Sequence, residues 1–133
     1  MPTFDVDPEP LTVFEVGDEY LFAEYFDDRA LFEDMRPYYD DEAYRFEVPA
    51  GEFEAVRDRL EEAYFEPAVV SDLEPYCVVI GRYDEHAEIL KRSVATWERD
   101  GHRFFLMKDE LAVKEAIERG ATPVGETGFV VGL

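Results

Sequence analysis

The sequence contains no asparagine and no glutamine, and only three lysines, Lys91, Lys108 and Lys114. Its polar surface must therefore come almost entirely from 33 acidic residues, which leave a net charge of −20 against 13 basic residues. This charge excludes binding to nucleic-acid phosphates through a general basic surface. The single cysteine, Cys77, excludes an internal disulfide, and its apolar neighbours predict a buried, inert thiol.

Long apolar runs are also missing. No run approaches the roughly 20 residues that a membrane-spanning helix needs, and the N-terminus lacks the basic and apolar segments of a signal peptide. We therefore expect a cytoplasmic protein with no membrane partner.

A fraction of 47% apolar residues is too high for a disordered acidic tail, and a length of 133 residues predicts a single domain over 1–133.

The acidic residues occur in clusters such as Asp40-Asp41-Glu42, so neighbouring carboxylates repel each other in dilute buffer. The Debye length is about 10 Å at 0.1 M salt and about 3 Å at 1 M, so concentrated salt removes most of this repulsion. An acid-rich, lysine-poor composition that favours arginine resembles that of the cytosolic proteins of extremely halophilic archaea. The resemblance implies adaptation to a salt-rich cytosol and identifies no functional residue.

The charge is distributed unevenly along the chain. Residues 1–50 contain 15 acids and 3 bases, a net charge of −12, whereas residues 101–133 contain 5 acids and 4 bases, a net charge of −1. An alternative explanation for the acidic first part is a surface that binds a basic protein partner by imitating the phosphates of DNA. That function needs carboxylates in ordered rows on one face.

Hydrophobic periodicity predicts a mixed α+β fold. Between residues 43 and 107 the expected order is strand, helix, strand, strand, helix, strand, which is the ferredoxin-like split βαβ arrangement. The expected bounds are strands 44–48, 67–70, 76–80 and 104–107, with helices 51–64 and 84–100. An extended arm over 1–10, an N-terminal β-hairpin, a short helix near 28–35 and a C-terminal helix over 109–120 surround this core. A three-layer α/β sheet is the alternative, and no clear sequence repeat is present.

The usual catalytic and cofactor motifs are absent. The sequence contains no GxSxG, HExxH, P-loop or GxGxxG motif, and two histidines with one cysteine do not suit a structural zinc site. We therefore predict no cofactor and no metal. No catalytic residue is assigned, and His86 is the one candidate.

Basic residues are concentrated between Arg82 and Lys108. If strands 76–81 and 103–107 were parallel, their carboxyl ends would share one edge, where Arg82 and Lys108 would lie beside His86 at the start of a helix. Helix N-termini favour anions, so these three residues predict a site for a small anionic ligand. The competing interpretation is that Arg82 and Lys108 pair with nearby acidic residues.

These observations lead to three functional hypotheses. The first is a non-catalytic cytosolic regulatory or assembly module that forms a homodimer through an open sheet face. The second is a small-molecule enzyme, or an anion-binding protein, that uses the edge formed by Arg82, His86 and Lys108. The third is an acidic binder of a basic protein partner.

Overall fold

The computed structural model describes residues 7–133, which form a mixed α+β fold with two β-sheets and four α-helices. The strands are β1 (Glu9–Val16), β2 (Glu19–Phe22), β3 (Tyr39–Asp40), β4 (Arg45–Pro49), β5 (Phe65–Val70), β6 (Cys77–Gly81), β7 (Ser93–Arg99), β8 (His102–Met107) and β9 (Thr122–Pro123). The helices are α1 (Arg29–Met35), α2 (Phe53–Glu62), α3 (Ala87–Leu90) and α4 (Glu110–Glu118).

The first half of the chain builds a five-stranded sheet in the order β3-β4-β2-β1-β5. Strands β1 and β2 form an antiparallel hairpin around the turn at Gly17, and β5 joins β1 in parallel. Helix α1 begins after Asp28, whose Oδ1 accepts from the backbone N–H groups of Ala30 and Leu31, as an N-cap does.

The second half builds a four-stranded, fully antiparallel sheet in the order β7-β8-β6-β9. Helix α4 begins after Asp109, whose Oδ1 accepts from the N–H of Ala112 over 2.8 Å. Strands β7 and β8 are joined by a tight turn at Asp100 and Gly101, which have φ values of 52° and 76°. Two successive positive φ values are characteristic of a type I′ hairpin turn.

Both halves follow the same path. From β2 and from β6 the chain runs strand, helix, strand, strand, helix, strand, and the four strands lie side by side in the order second, third, first, fourth. The first half differs only in that β1 lies between its first and fourth strands. The two halves therefore repeat a topology, although the sequence contains no clear repeat.

The alternation of side chains along the strands gives each sheet one face that packs on helices and one face that packs on the other sheet. In β1, Leu11 and Val13 face α1 and α2, whereas Phe14 faces the second sheet. In β8, Phe105 faces α3 and α4, whereas Phe104 faces the first sheet. The helix-free faces of the two sheets thus pack on each other, and the sheet face expected to be open is covered within the chain.

The helix predicted over 84–100 is wrong, because this segment contains the four-residue α3 followed by the strand β7. Its apolar residues fit a helical period, but Val94, Thr96 and Trp97 favour a strand. The dipeptide Asp100-Gly101, interpreted as a helix end, is instead the hairpin turn. Asp84 does not cap α3 and accepts from the N–H of Gly81 over 2.9 Å.

The core predicted over 43–107 does not form one sheet, because β4 and β5 belong to the first sheet and β6 and β8 to the second. The strands predicted at 67–70 and 76–80 are therefore not neighbours. Of the predicted arm, residues 1–6 lie outside the described part of the chain, and Glu9 and Pro10 belong to β1. The N-terminal hairpin, the short helix near 28–35, the helix over 51–64 and the C-terminal helix are confirmed.

Candidate functional site

The structure separates Arg82 from Lys108. Strands β6 and β8 are antiparallel, with Gly81 opposite His102 and Cys77 opposite Leu106, so Arg82 and Lys108 lie at opposite ends of the sheet. The parallel pairing predicted for these strands is wrong, because the crossover from β6 leads to β7 and not to β8.

The side chains of Arg82 and His86 each have a partner, and Lys108 is held through its backbone. The exposed Arg82 side chain places Nε 3.5 Å from Oε2 of Glu98. His86 precedes the short helix α3, and its Nδ1 donates to the backbone carbonyl of Asp84 over 3.0 Å. The backbone N–H of Lys108 donates to the carbonyl of Arg92 over 2.9 Å. The structure therefore does not bring these residues together around one ligand.

A different cluster of basic residues lines a cleft of about 600 Å³ between the two halves. One side is the turn before β4, and the other is the edge strand β7 with the end of α3. Ligand sites are often found where two structural units meet. The lining residues with chemically useful side chains are Glu42, Tyr44, Arg45, Lys91, Ser93, Thr96 and Arg103.

Arg45 joins the two halves at this cleft. Its Nη1 donates to the backbone carbonyl of Val94 in β7 over 3.1 Å, whereas Nε donates to Oε1 of Glu47 over 2.9 Å. Its side chain is only 23% exposed, so this pair is less screened by solvent than a typical surface pair. Arg45 therefore connects the edge strand of one sheet to a strand of the other.

The turn before β4 is held by Asp40, whose Oδ1 accepts from the N–H groups of Glu42 and Ala43 over 2.9 and 3.1 Å. These two N–H groups, and then Arg45, hold the pKa of Asp40 below its ordinary value. Tyr44 follows with a φ of +56°, which is uncommon for a bulky residue, and its side chain is 73% exposed. Strained residues of this kind are often found where proteins contact ligands.

Arg103 lines the cleft from β8. Its Nη2 donates to Oε1 of Glu98, and its side chain is 25% exposed. Its Nε is buried and finds no acceptor in the described part of the chain. A buried donor without an acceptor lowers the stability of the fold.

The cleft also contains two hydroxyl groups that are already engaged. Ser93 Oγ donates to the carbonyl of Leu90 over 2.8 Å, and Thr96 Oγ1 donates to the carbonyl of Phe104 over 2.9 Å. Lys91 lies 3.1 Å from Oε1 of Glu88. Both hydroxyl groups therefore donate to the backbone, and the Lys91 ammonium lies beside a carboxylate.

Sequence reasoning found part of this site. Lys91 and Arg103 lie within the base-rich segment from Arg82 to Lys108, but Arg45 comes from the other half of the chain. Only the packing of the two sheets brings Arg45 to β7. Finding the cleft from the sequence requires a strand to be predicted over residues 93–99.

Cys77 is buried between the sheets, and its Sγ donates to the carbonyl of Leu73 over 3.3 Å. Burial, with Glu74 and Asp72 nearby, raises the pKa of this thiol to about 12. The expectation of a buried thiol is confirmed. Within residues 7–133, no group of three or more His, Cys, Asp or Glu side chains is placed to hold a metal ion.

Comparison of the chain with protein-family models, curated proteins and solved structures gave no significant match. In the described residues, no helix combines the length and apolar character needed to cross a membrane.

Proposed function

We propose that this chain is a non-catalytic binding module that holds a small molecule in the cleft between its halves. The observation that carries the proposal is the cleft itself, where Arg45, Lys91 and Arg103 meet an apolar wall in a protein whose net charge is −20. The engaged hydroxyls of Ser93 and Thr96 support binding over nucleophilic chemistry.

The proposal includes the identity of the two halves as ferredoxin-like units. The path strand, helix, strand, strand, helix, strand and the strand order second, third, first, fourth support this assignment in both halves. A single unit of this type leaves one sheet face open, and here the other half covers that face. In this proposal the pairing expected between two copies takes place inside one chain.

Binding is tested with 8-anilinonaphthalene-1-sulfonate, a fluorescent anion with an apolar body, in 3 M KCl. Ala43→Phe places a ring in the cleft, whereas Ala55→Phe places the same ring on the exposed face of α2. We expect the unaltered chain and Ala55→Phe to enhance the fluorescence, and Ala43→Phe to lose most of the enhancement. Equal enhancement by both variants would refute a binding site in this cleft.

We further propose that the module works in a salt-rich cytosol, as the composition implies. The two halves differ sharply in charge: residues 1–76 contain 23 acids and 5 bases, a net charge of −18, whereas residues 77–133 contain 10 acids and 8 bases, a net charge of −2. Carboxylates thus cover the first half, and the cleft lies where this half meets the nearly neutral second half.

This same asymmetry favours a second candidate function, the binding of a basic protein partner to the first half. An electrostatic complex of this kind weakens as salt screens the charges. If the immobilised protein retains polylysine at 0.1 M KCl but releases it below 1 M KCl, the complex forms only in dilute salt. Retention at 3 M KCl would support a specific partner surface, and no retention at any salt concentration would remove this candidate.

A further inference from the structure

Residues 127–133 form an uncharged run in a chain of which 35% of the residues are charged. From 129 to 133, which we name the strap, the burial of the side chains alternates. Phe129 and Val131 pack against the core between the sheets, whereas Val130 is 70% exposed. The strap therefore lies extended on the surface with one apolar side facing inward.

The strap covers an apolar surface made by Trp97, His102 and Phe104, which we name the strap groove. The Trp97 and Phe104 rings stack with their centroids 5.3 Å apart. The Phe129 ring packs edge-on against Phe104 at a centroid distance of 5.1 Å and lies 5.0 Å from the His102 ring. The strap groove is thus built on β7 and β8, on the face of the second sheet that has no helices.

The strap runs directly against the N–H edge of the Trp97 indole. A Cβ added to Gly132 would stand 3.1 Å from Nε1 of Trp97 and 3.4 Å from Cδ1, so a glycine suits this position. The same Nε1 is buried and has no hydrogen-bond acceptor within residues 7–133. Because a buried donor without an acceptor is costly, the strap is an imperfect occupant of its own groove.

Side-chain packing, and not a ladder of backbone hydrogen bonds, holds the strap in place. Within residues 7–133, the backbone of the strap makes one hydrogen bond, from the N–H of Phe129 to Oγ1 of Thr127 over 3.1 Å. Segments with few backbone hydrogen bonds open at a lower free energy than paired strands. The strap can therefore leave its groove while β7 and β8 stay paired.

We propose that the strap is a displaceable occupant, and that the strap groove docks an extended, uncharged peptide segment of a partner protein. The strap itself supplies the pattern: an aromatic residue, an aliphatic residue two positions later, and then a glycine against Trp97. A partner segment gains over the strap by offering an oxygen to Nε1 of Trp97. Because side chains alternate along a strand, this site faces away from Thr96 and Arg103 and is separate from the cleft that they line.

The test follows the fluorescence of Trp97, the single tryptophan, in 3 M KCl with the peptide acetyl-TGFVVGL-amide as the probe. Phe129→Ser/Val131→Ser removes both inward side chains of the strap, and Val130→Ser is the matched control on its outward side. We expect the double variant alone to emit at longer wavelengths and the peptide to reverse this shift. We expect the peptide to bind the double variant at least about 10-fold more tightly than Val130→Ser or the unaltered chain, where the tethered strap competes at a high effective concentration.

A milder variant keeps the apolar residues of the strap in place. Gly132→Val puts a side chain against Nε1 of Trp97, and we expect it to raise the affinity for the peptide at least about 3-fold. The control peptide has serine in place of Phe129 and Val131 and should bind none of the proteins. A circular dichroism spectrum like that of the unaltered chain shows that each variant is folded.

One measurement needs no variant. A peptide with benzoylphenylalanine in place of Phe129 should cross-link to β7 or β8 of the unaltered chain when irradiated, and cross-links confined to other elements would overturn the proposal. Equal peptide affinity for the unaltered chain and for folded strap variants would also overturn it. A dimer of the unaltered chain that the double variant abolishes would assign the strap groove to a second copy and so remove the partner protein.

Discussion

At the scale of single residues, Cys77 shows how the packing of two sheets controls chemistry. Its thiol lies between the sheets and its pKa is raised to about 12, chiefly by burial. The thiolate is the reactive form of cysteine, so the folded chain holds almost none of it at neutral pH.

We expect Cys77 to resist iodoacetamide at pH 8 in the folded protein and to react rapidly in guanidinium chloride. Because the pKa is higher in the folded than in the unfolded chain, the stabilising contribution of the neutral thiol is complete below the unfolded value, near 8.5. It is then lost as the pH rises towards 12. Mass spectrometry of the alkylated protein measures the reaction, and equal rates in both states would contradict the buried thiol.

Arg45 is the residue whose contact links the two halves. In Arg45→Lys the bond to the carbonyl of Val94 is lost together with the paired geometry on Glu47. We expect the free energy of unfolding to fall by about 1–3 kcal/mol, because a buried carbonyl loses a charged donor.

The control for Arg45→Lys is Arg59→Lys. Arg59 is 26% exposed and pairs with Asp34 inside the first half, so it matches Arg45 in its own exposure and in pairing with a carboxylate, but it makes no contact between the halves. We expect its effect to be about 1 kcal/mol or less. Urea denaturation in 3 M KCl compares the two variants, and equal losses would show that the link from Arg45 to β7 contributes nothing.

At the scale of elements, the turn between β7 and β8 is built on two residues with positive φ, Asp100 and Gly101. Gly101 has a φ of +76° and no atom within 4 Å of an added Cβ, so its substitution strains only the backbone. We expect Gly101→Ala to destabilise the protein by about 1–2 kcal/mol, the cost of a left-handed conformation in an ordinary residue.

Gly51→Ala is the matched substitution, because an added Cβ at Gly51 also meets nothing within 4 Å and its φ is outside the positive range. We expect it to leave stability unchanged or to raise it by up to about 1 kcal/mol, since alanine restricts the unfolded chain. Thermal unfolding followed by circular dichroism compares the pair. A Gly101→Ala variant as stable as Gly51→Ala would argue against the type I′ turn.

The segment that precedes this turn is a part of the fold that the sequence alone does not predict. Helices with a clear apolar period, such as α2 and α4, follow from the sequence because the signals lie within a few residues, and α4 also has its N-cap Asp109. The segment 84–100 does not, since Val94 and Trp97 fit both a helix and a strand, and only pairing with β8 selects the strand. The cleft shares this limit, because Arg45 and Arg103 are 58 positions apart and meet only when the sheets pack.

At the scale of the whole molecule, the two halves share a topology but differ in charge. The net charge of −18 on residues 1–76 opposes compaction of the first half, whereas residues 77–133, with −2, have little repulsion to overcome. Salt should therefore stabilise the first half more than the second. The sheet interface couples them, because Phe14 and Leu21 of the first half pack with Phe104 and Leu106 of the second.

We therefore expect the urea midpoint of the whole chain to rise by about 1 M or more between 0.1 and 3 M KCl, equivalent to roughly 1–3 kcal/mol. The single tryptophan, Trp97, lies in the second half and packs on Phe104, so its fluorescence reports that half and the sheet interface. Unfolding of the first half would expose this interface, so in dilute salt we expect the circular dichroism signal of the helices and the Trp97 emission to change together. Glycine betaine, which is neutral and does not screen charge, is the control, and we expect it to raise the urea midpoint less than KCl does at the same concentration. A midpoint that is the same in both salt concentrations would mean that carboxylate repulsion does not limit folding.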